Sequence, residues 1–199
     1  NVLTRPNLAT WQRCLHDIAD PDNARFQYPF TNCTNCGPRY TIIAAIPYDR
    51  ASTSMACFAM CYSCSAEYED PFNRRFHAQP NACPLCGPQV WLTDLDGSRL
   101  CSDQEALKQA AADLAQGLIL AVKGLGGFHL ACKATDERTV HTLRSRKNRW
   151  GKPLALMVPD LDTARQLGEI NTQAAEWLTG PVRPIVLVPK KPGTALPEP

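Results

Sequence analysis

Three Cys-x-x-Cys pairs stand out first: Cys33/Cys36, Cys61/Cys64 and Cys83/Cys86. Two thiolates three positions apart share one tight turn and can grip a single metal ion, zinc above all. The 199-residue chain holds ten cysteines, enough for a disulfide scaffold. The vicinal spacing argues against that reading, and zinc-bound thiolates suit a reducing cytoplasm.

The pairs belong to a duplication with an offset of fifty residues. Asp20-Pro21-Asp22-Asn23-Ala24-Arg25-Phe26 matches Asp70-Pro71-Phe72-Asn73-Arg74-Arg75-Phe76. Cys33-Thr34-Asn35-Cys36-Gly37-Pro38 matches Cys83-Pro84-Leu85-Cys86-Gly87-Pro88, and Cys14 matches Cys64. The second repeat therefore offers four thiolates: Cys61, Cys64, Cys83 and Cys86. The first offers Cys14, Cys33 and Cys36, because Trp11 stands where Cys61 has its counterpart. His16 could complete a Cys3His site, and Cys57 is a spare thiol. Water in the fourth place, a hydrophobic plug by Trp11 without metal, and an empty site are the other readings. Four thiolates leave no open position, so the expected sites are structural rather than catalytic.

Each repeat must be built by short elements around these ligands. Gly37 and Gly87 follow the last cysteines, where a sharp turn often needs positive φ. Tyr40–Ile43 and Val90–Leu92 read as short strands leaving the knuckles. So small a unit has little apolar core, and the metal supplies much of its folding energy.

After Gly97 the pattern changes to alternating helices and strands. Ser102 and Glu105 form a capping box ahead of a helix, which Gly117 closes. Leu118–Val122 reads as a strand buried on both faces. A helix over 135–147, a strand over 153–158, a short helix capped by Asp160, a helix over 171–178 and a strand over 184–188 complete the series. The predicted fold is a tandem zinc-knuckle module over 1–100 followed by α/β structure over 101–199. The tail from Lys190 is Pro-rich and reads as a linker or loop.

Two features of this half could carry chemistry. Lys123-Gly124-Leu125-Gly126-Gly127 follows a strand and could cradle phosphate, or be a plain tight turn. It is neither a P-loop nor a dinucleotide fingerprint. Arg144, Arg146, Lys147, Arg149 and Lys152 cluster within nine residues. They read either as a solvated helix C-terminus or as a polyphosphate site. One Trp beside the cluster is thin support for RNA binding. His129 reads as a core residue in an apolar strand. Cys101 and Cys132 belong to no Cys-x-x-Cys pair and read as buried or incidental thiols. The net charge of +2 demands neither nucleic acid nor membrane, and no apolar run reaches the roughly 18–20 residues of a bilayer span.

These residues resemble the HypF family of carbamoyltransferases that mature [NiFe] hydrogenases. The Cys spacings agree with that family's double finger apart from Trp11. Tyr28-Pro29-Phe30-Thr31-Asn32-Cys33, Pro47-Tyr48-Asp49-Arg50 and Arg75-Phe76-His77-Ala78-Gln79-Pro80 resemble its zinc module. Lys123 to Cys132 and Arg144 to Ala155 resemble the beginning of its YrdC-like domain. The resemblance implies a reaction on carbamoyl phosphate. Carbamate released from it is activated with ATP and Mg2+ as carbamoyl adenylate, then passed to the C-terminal cysteine of the partner HypE for cyanide-ligand synthesis. By resemblance, Lys123, Arg144, Arg146, Lys147 and Lys152 hold nucleotide phosphates or the carbamoyl group, where preorganised cations stabilise developing negative charge.

The chain also departs from the family. The family's N-terminal acylphosphatase-like and C-terminal transferase domains lie outside it, as do later YrdC-like strands, and Lys133 stands where the family usually has Asp. The expectation is an internal piece, cytoplasmic and without a membrane partner, that does not complete carbamoyl transfer alone. The competing readings are a non-catalytic zinc-stabilised interaction module and an RNA-binding YrdC-type protein.

Overall fold

The computed structural model describes residues 6–197 and divides the chain into two compact units, Asn1–Gln104 and Glu105–Pro199.

The first unit repeats itself. Helix α1 (Gln12–Ala19) and helix α2 (Tyr62–Glu69) each span eight residues. Each is followed by the same reversal. Asp20 and Asp70 accept at Oδ1 from the N–H groups of Asp22 and Phe72. Asn23 and Asn73 do likewise for Arg25 and Arg75. Gln27 and His77 both take positive φ and donate back to the carbonyls of Ile18 and Tyr68. Asx-type hydrogen bonds of this kind turn the chain without any ladder, which is why an Asp-Pro-x-Asn motif serves both repeats.

The apolar core of this unit is small: Tyr28, Ile42, Met55 and Ala82, with Tyr48, Phe58 and Cys86 against it. Tyr40–Ile42 is a 3-10 turn, not the expected strand. Asn7 sets it, accepting at Oδ1 from the N–H groups of Arg39 and Thr41, and such side-chain capture of backbone donors competes with ladder formation. Ile43 keeps one bridge to Thr53. Strand β1 (Trp91–Thr93) forms as expected and pairs antiparallel with β2 (Arg99–Ser102).

The second unit begins within helix α3 (Asp103–Ala115) and continues as the antiparallel hairpin β3 (Leu120–Lys123) and β4 (Phe128–Ala131). Three further helices follow: α4 (Glu137–Arg146), α5 (Leu161–Leu167) and α6 (Thr172–Thr179). Asp136, Asp160 and Asn171 cap them through their side chains. Gly117 ends the turn after α3 at positive φ, where its carbonyl accepts from Thr139 Oγ1. Val140 and Leu143 of α4 are buried.

Three expectations fail here. β3 is largely exposed rather than buried on both faces. Residues 153–158 and 184–188 form no strand among the described residues, although Met157, Ile185 and Leu187 are apolar and exposed. An apolar run becomes a strand only where an edge is offered to it, and β3 and β4 pair only with each other. His129 is exposed, not a core residue, with its ring close to Gly124.

Candidate metal centre

The sulfurs of Cys61, Cys64, Cys83 and Cys86 lie within 4.8 Å of one another. Cys61 and Cys83 stand 3.7 Å apart, as do Cys83 and Cys86. A disulfide requires about 2.05 Å, and none of these cysteines is in a disulfide. Four sulfurs bound tetrahedrally at about 2.3 Å from one ion stand about 3.8 Å apart. The cage therefore has the dimensions of a tetrathiolate zinc site. Cys14, Cys33 and Cys36 form a second group with the same limit, Cys33 and Cys36 again 3.7 Å apart. His16 and Cys57 are not among these three-sulfur ligand atoms. His16 is exposed two positions beyond Cys14 on α1, and Cys57 is exposed with its thiol on the Ser54 carbonyl.

Each helix places one ligand in its first turn, and each knuckle places two on a tight reversal. The N–H groups of Asn35 and Leu85 point at Cys33 and Cys83. Gly37 takes φ +90°, a conformation that side chains disfavour. Gly87 does not, but a Cβ there would collide with Tyr28 Oη and Ala82 Cβ. Tyr28 Oη in turn donates to the Pro88 carbonyl at 3.0 Å.

The charge of the cages is met by arginines that cross between repeats. Arg25 donates from Nε to the Ala82 carbonyl (2.8 Å), from Nη2 to Cys64 Sγ (3.4 Å) and to Asn81 Oδ1 (3.1 Å), and pairs with Glu67. Arg75 mirrors it: Nε donates to the Asn32 carbonyl at 3.1 Å, and the guanidinium pairs with Asp17 and Glu67. Arg74 pairs with Asp17 and reaches Cys14 Sγ at 3.6 Å. Arg25/Arg75 and Asp17/Glu67 are both related by the offset of fifty. The sequence carries this signal in the repeated Asn-x-Arg-Phe motif, but the pairing across repeats is visible only in the fold. Guanidinium donors beside thiolates offset the excess negative charge of a zinc–thiolate centre.

The thiols respond to these surroundings. Burial opposes ionisation at Cys86, but the N–H groups of Cys61 and Cys83 prevail and bring it to about 7. Burial holds Cys64 and Cys83 above the ordinary thiol range, despite Arg25 beside Cys64. In the first cluster, sulfur hydrogen bonds from Cys14 and Cys33 pull Cys36 down to about 2, while Cys14 is pushed up by Cys33 and Cys36. In each cluster the last cysteine of the knuckle, Cys36 or Cys86, is thus drawn below the ordinary thiol range.

A family profile described as HypF finger matches residues 12–43 and 60–93. A second, described as Telomere recombination and covering Sua5, YciO and YrdC proteins, matches 112–198. Carbamoyltransferase HypF of Rhodobacter capsulatus is 53% identical over 193 residues, which is 97% of this chain and 25% of that protein. The chain belongs to the HypF family. The solved HypF of T. kodakarensis superposes with a TM-score of 0.90 at 44% identity, over 98% of this chain and 26% of that one. A full-length HypF in its phosphate- and nucleotide-bound form gives 0.83 at 45% identity, over 94% and 24%. The chain therefore spans about a quarter of the HypF proteins it matches.

The basic residues of the second unit fall into two groups. Arg144 is buried, and Nη1 donates to the carbonyls of Arg149 (3.1 Å) and Lys152 (2.8 Å). It therefore shapes the 149–152 loop instead of presenting a free cation. Arg146, Lys147 and Lys152 are exposed. Trp150 lies against His141, ring centroids 5.2 Å apart. Lys123 ends β3 with its ammonium over the Phe128 ring, and no hydrogen bond or ion pair among the described residues joins it to the cluster. The Gly-rich stretch is the hairpin turn itself, closed by Gly124 N–H on the Gly127 carbonyl at 2.7 Å.

Proposed function

We propose that this chain is the zinc-binding and nucleotide-handling portion of a HypF-type carbamoyltransferase in [NiFe] hydrogenase maturation. The observation that carries the reading is a tetrathiolate cage of zinc dimensions inside the HypF-finger match, ahead of a YrdC-like segment in one chain. In this reading Cys61, Cys64, Cys83 and Cys86 hold one zinc, and Cys14, Cys33 and Cys36 hold a second. Both are structural in this reading: four thiolates leave the second no open position, and beside the first His16 lies outside the sulfur cluster while Asp17 is paired with Arg74 and Arg75. The domains divide near residue 100.

In the second unit, Arg146, Lys147, Lys152 and Lys123 contact the phosphates of Mg2+-bound ATP, and Arg144 positions the loop that presents Lys152. The nucleotide-bound form of a full-length relative supports an ATP site in proteins of this kind. Activated carbamate, derived from carbamoyl phosphate, then passes to the terminal cysteine of HypE. No helix among the described residues is long and apolar enough to cross a membrane.

Calorimetric titration with Mg2+-ATP tests this. Binding is expected, and a combined Arg146→Ala, Lys147→Ala substitution should weaken it about a hundredfold or more, since charge-assisted contacts to phosphate contribute roughly 1.5–3 kcal/mol each. Absence of nucleotide binding with retained capture of HypE would establish an interaction module instead. Salt-dependent tRNA binding would favour the RNA reading. The chain alone should show no carbamoyl-phosphate-dependent ATP turnover.

A further inference from the structure

The two metal cages differ by one side chain, not by their backbones. Trp11 and Cys61 precede α1 and α2 with nearly the same dihedrals, φ −73°, ψ 151° and φ −69°, ψ 167°. The N–H of Trp11 is directed at Cys36 as that of Cys61 is at Cys86. The first cage is thus built for four ligands and supplied with three. Neither His16 nor Cys57 makes up the difference. The Trp11 indole is 36% exposed and lies under the Arg13 guanidinium at 5.3 Å. It offers no lone pair to a metal.

Resting on the zinc reading above, we propose that the first cluster is an open metal site whose fourth ligand is a small thiol from outside the chain. Three features choose this ligand. The sulfurs are spaced for metal–sulfur bonds, with 3.7 Å between Cys33 and Cys36. Cys14, Cys33 and Cys36 are each 0% exposed, whereas Trp11 at the missing corner is 36% exposed, so an outside donor must enter on the Trp11 side and must be small. Arg74 touches Cys14 and Arg13 lies beside Trp11, which favours an anionic donor. On binding, the thiol releases its proton to solvent and the thiolate sulfur donates a lone pair to the metal.

Cobalt substitution of the full chain tests this, because the visible absorption of Co2+ reports its ligand set. Two ions per chain are expected. Titration with 2-mercaptoethanol should then change the absorption of one ion and leave the other as it was. Trp11→Cys should bind two ions and abolish the response. Cys61→Ala, which opens the second cage, should create a second responsive ion. These readouts need no catalytic activity, and the unmodified chain suffices if a variant fails to fold. Two ions with no thiol response overturn the inference, since the fourth place is then held by water or by a donor of the chain. One ion per chain also overturns it but leaves the zinc reading of the second cluster intact. No bound ion overturns both.

Discussion

Glu67 shows how much of the metal module rests on single side chains. Burial alone would raise its pKa, but Arg25 and Arg75 hold the carboxyl below its ordinary 4.5. A carboxylate with a depressed folded pKa contributes stability above its unfolded value and loses it as pH falls through the folded one. Its contribution is therefore complete at neutral pH and fades only below about 4.5. Glu67→Gln leaves two buried guanidinium groups without that carboxylate. The expected loss at pH 7 is about 2–3 kcal/mol, because the partly exposed carboxylate falls short of the roughly 3–5 kcal/mol of a fully buried pair. Urea unfolding with saturating zinc reads this directly. Gly87→Ala should cost about 1–3 kcal/mol by overpacking against Tyr28 and Ala82, and an unchanged urea midpoint would show that the knuckle has room to spare.

The repeats are interlocked elements rather than two beads. Arg25 leaves the first repeat to reach Cys64, Glu67 and Ala82 of the second, and Arg75 returns to Asp17 and Asn32 of the first. Outer contacts of this kind typically change metal affinity about 10–100-fold when lost. Arg25→Gln should accordingly speed metal release from the second cluster by that order, although the substitution lies in the first repeat. Competition with a chromogenic chelator measures it, and release confined to the first cluster would refute the crossing. Much of this was legible in the sequence. The fifty-residue offset located seven clustered cysteines and the defect at Trp11, because ligand spacing is local. The arginine exchange was not, since it joins residues 39 to 60 positions apart. Strands fared worse for the same reason: Tyr40–Ile42 yielded to Asn7, and the apolar runs at 153–158 and 184–188 show no pairing edge. Helices α4, α5 and α6 lay where the sequence placed helices, over 135–147, after Asp160 and over 171–178.

The two units of the chain obtain their stability differently. Among the described residues the first has five buried apolar side chains beyond its cysteines, and in the zinc reading the metal supplies much of what burial does not. The second has no comparable thiol cluster among the described residues, and its buried apolar side chains are Ala106, Val140, Leu143 and Ala174. Acid should therefore act on the first unit through its thiols. Cys64 and Cys83 are held above the usual range and Cys86 sits at about 7, so below neutral pH metal binding must expel at least those three protons. Because the metal-bound form carries fewer protons, falling pH favours release, with zinc affinity dropping about 10³-fold per unit. Zinc titrations between neutral and mildly acidic pH check that slope.

The most direct measurement is hydrogen exchange across residues 12–93 as zinc is withdrawn by a strong chelator. Protection in both repeats should vanish as the metal leaves, while α3 to α6 keep theirs and all ten cysteines react as free thiols. Protection that survives complete metal removal, or cysteines found joined in pairs, would contradict a module folded by zinc.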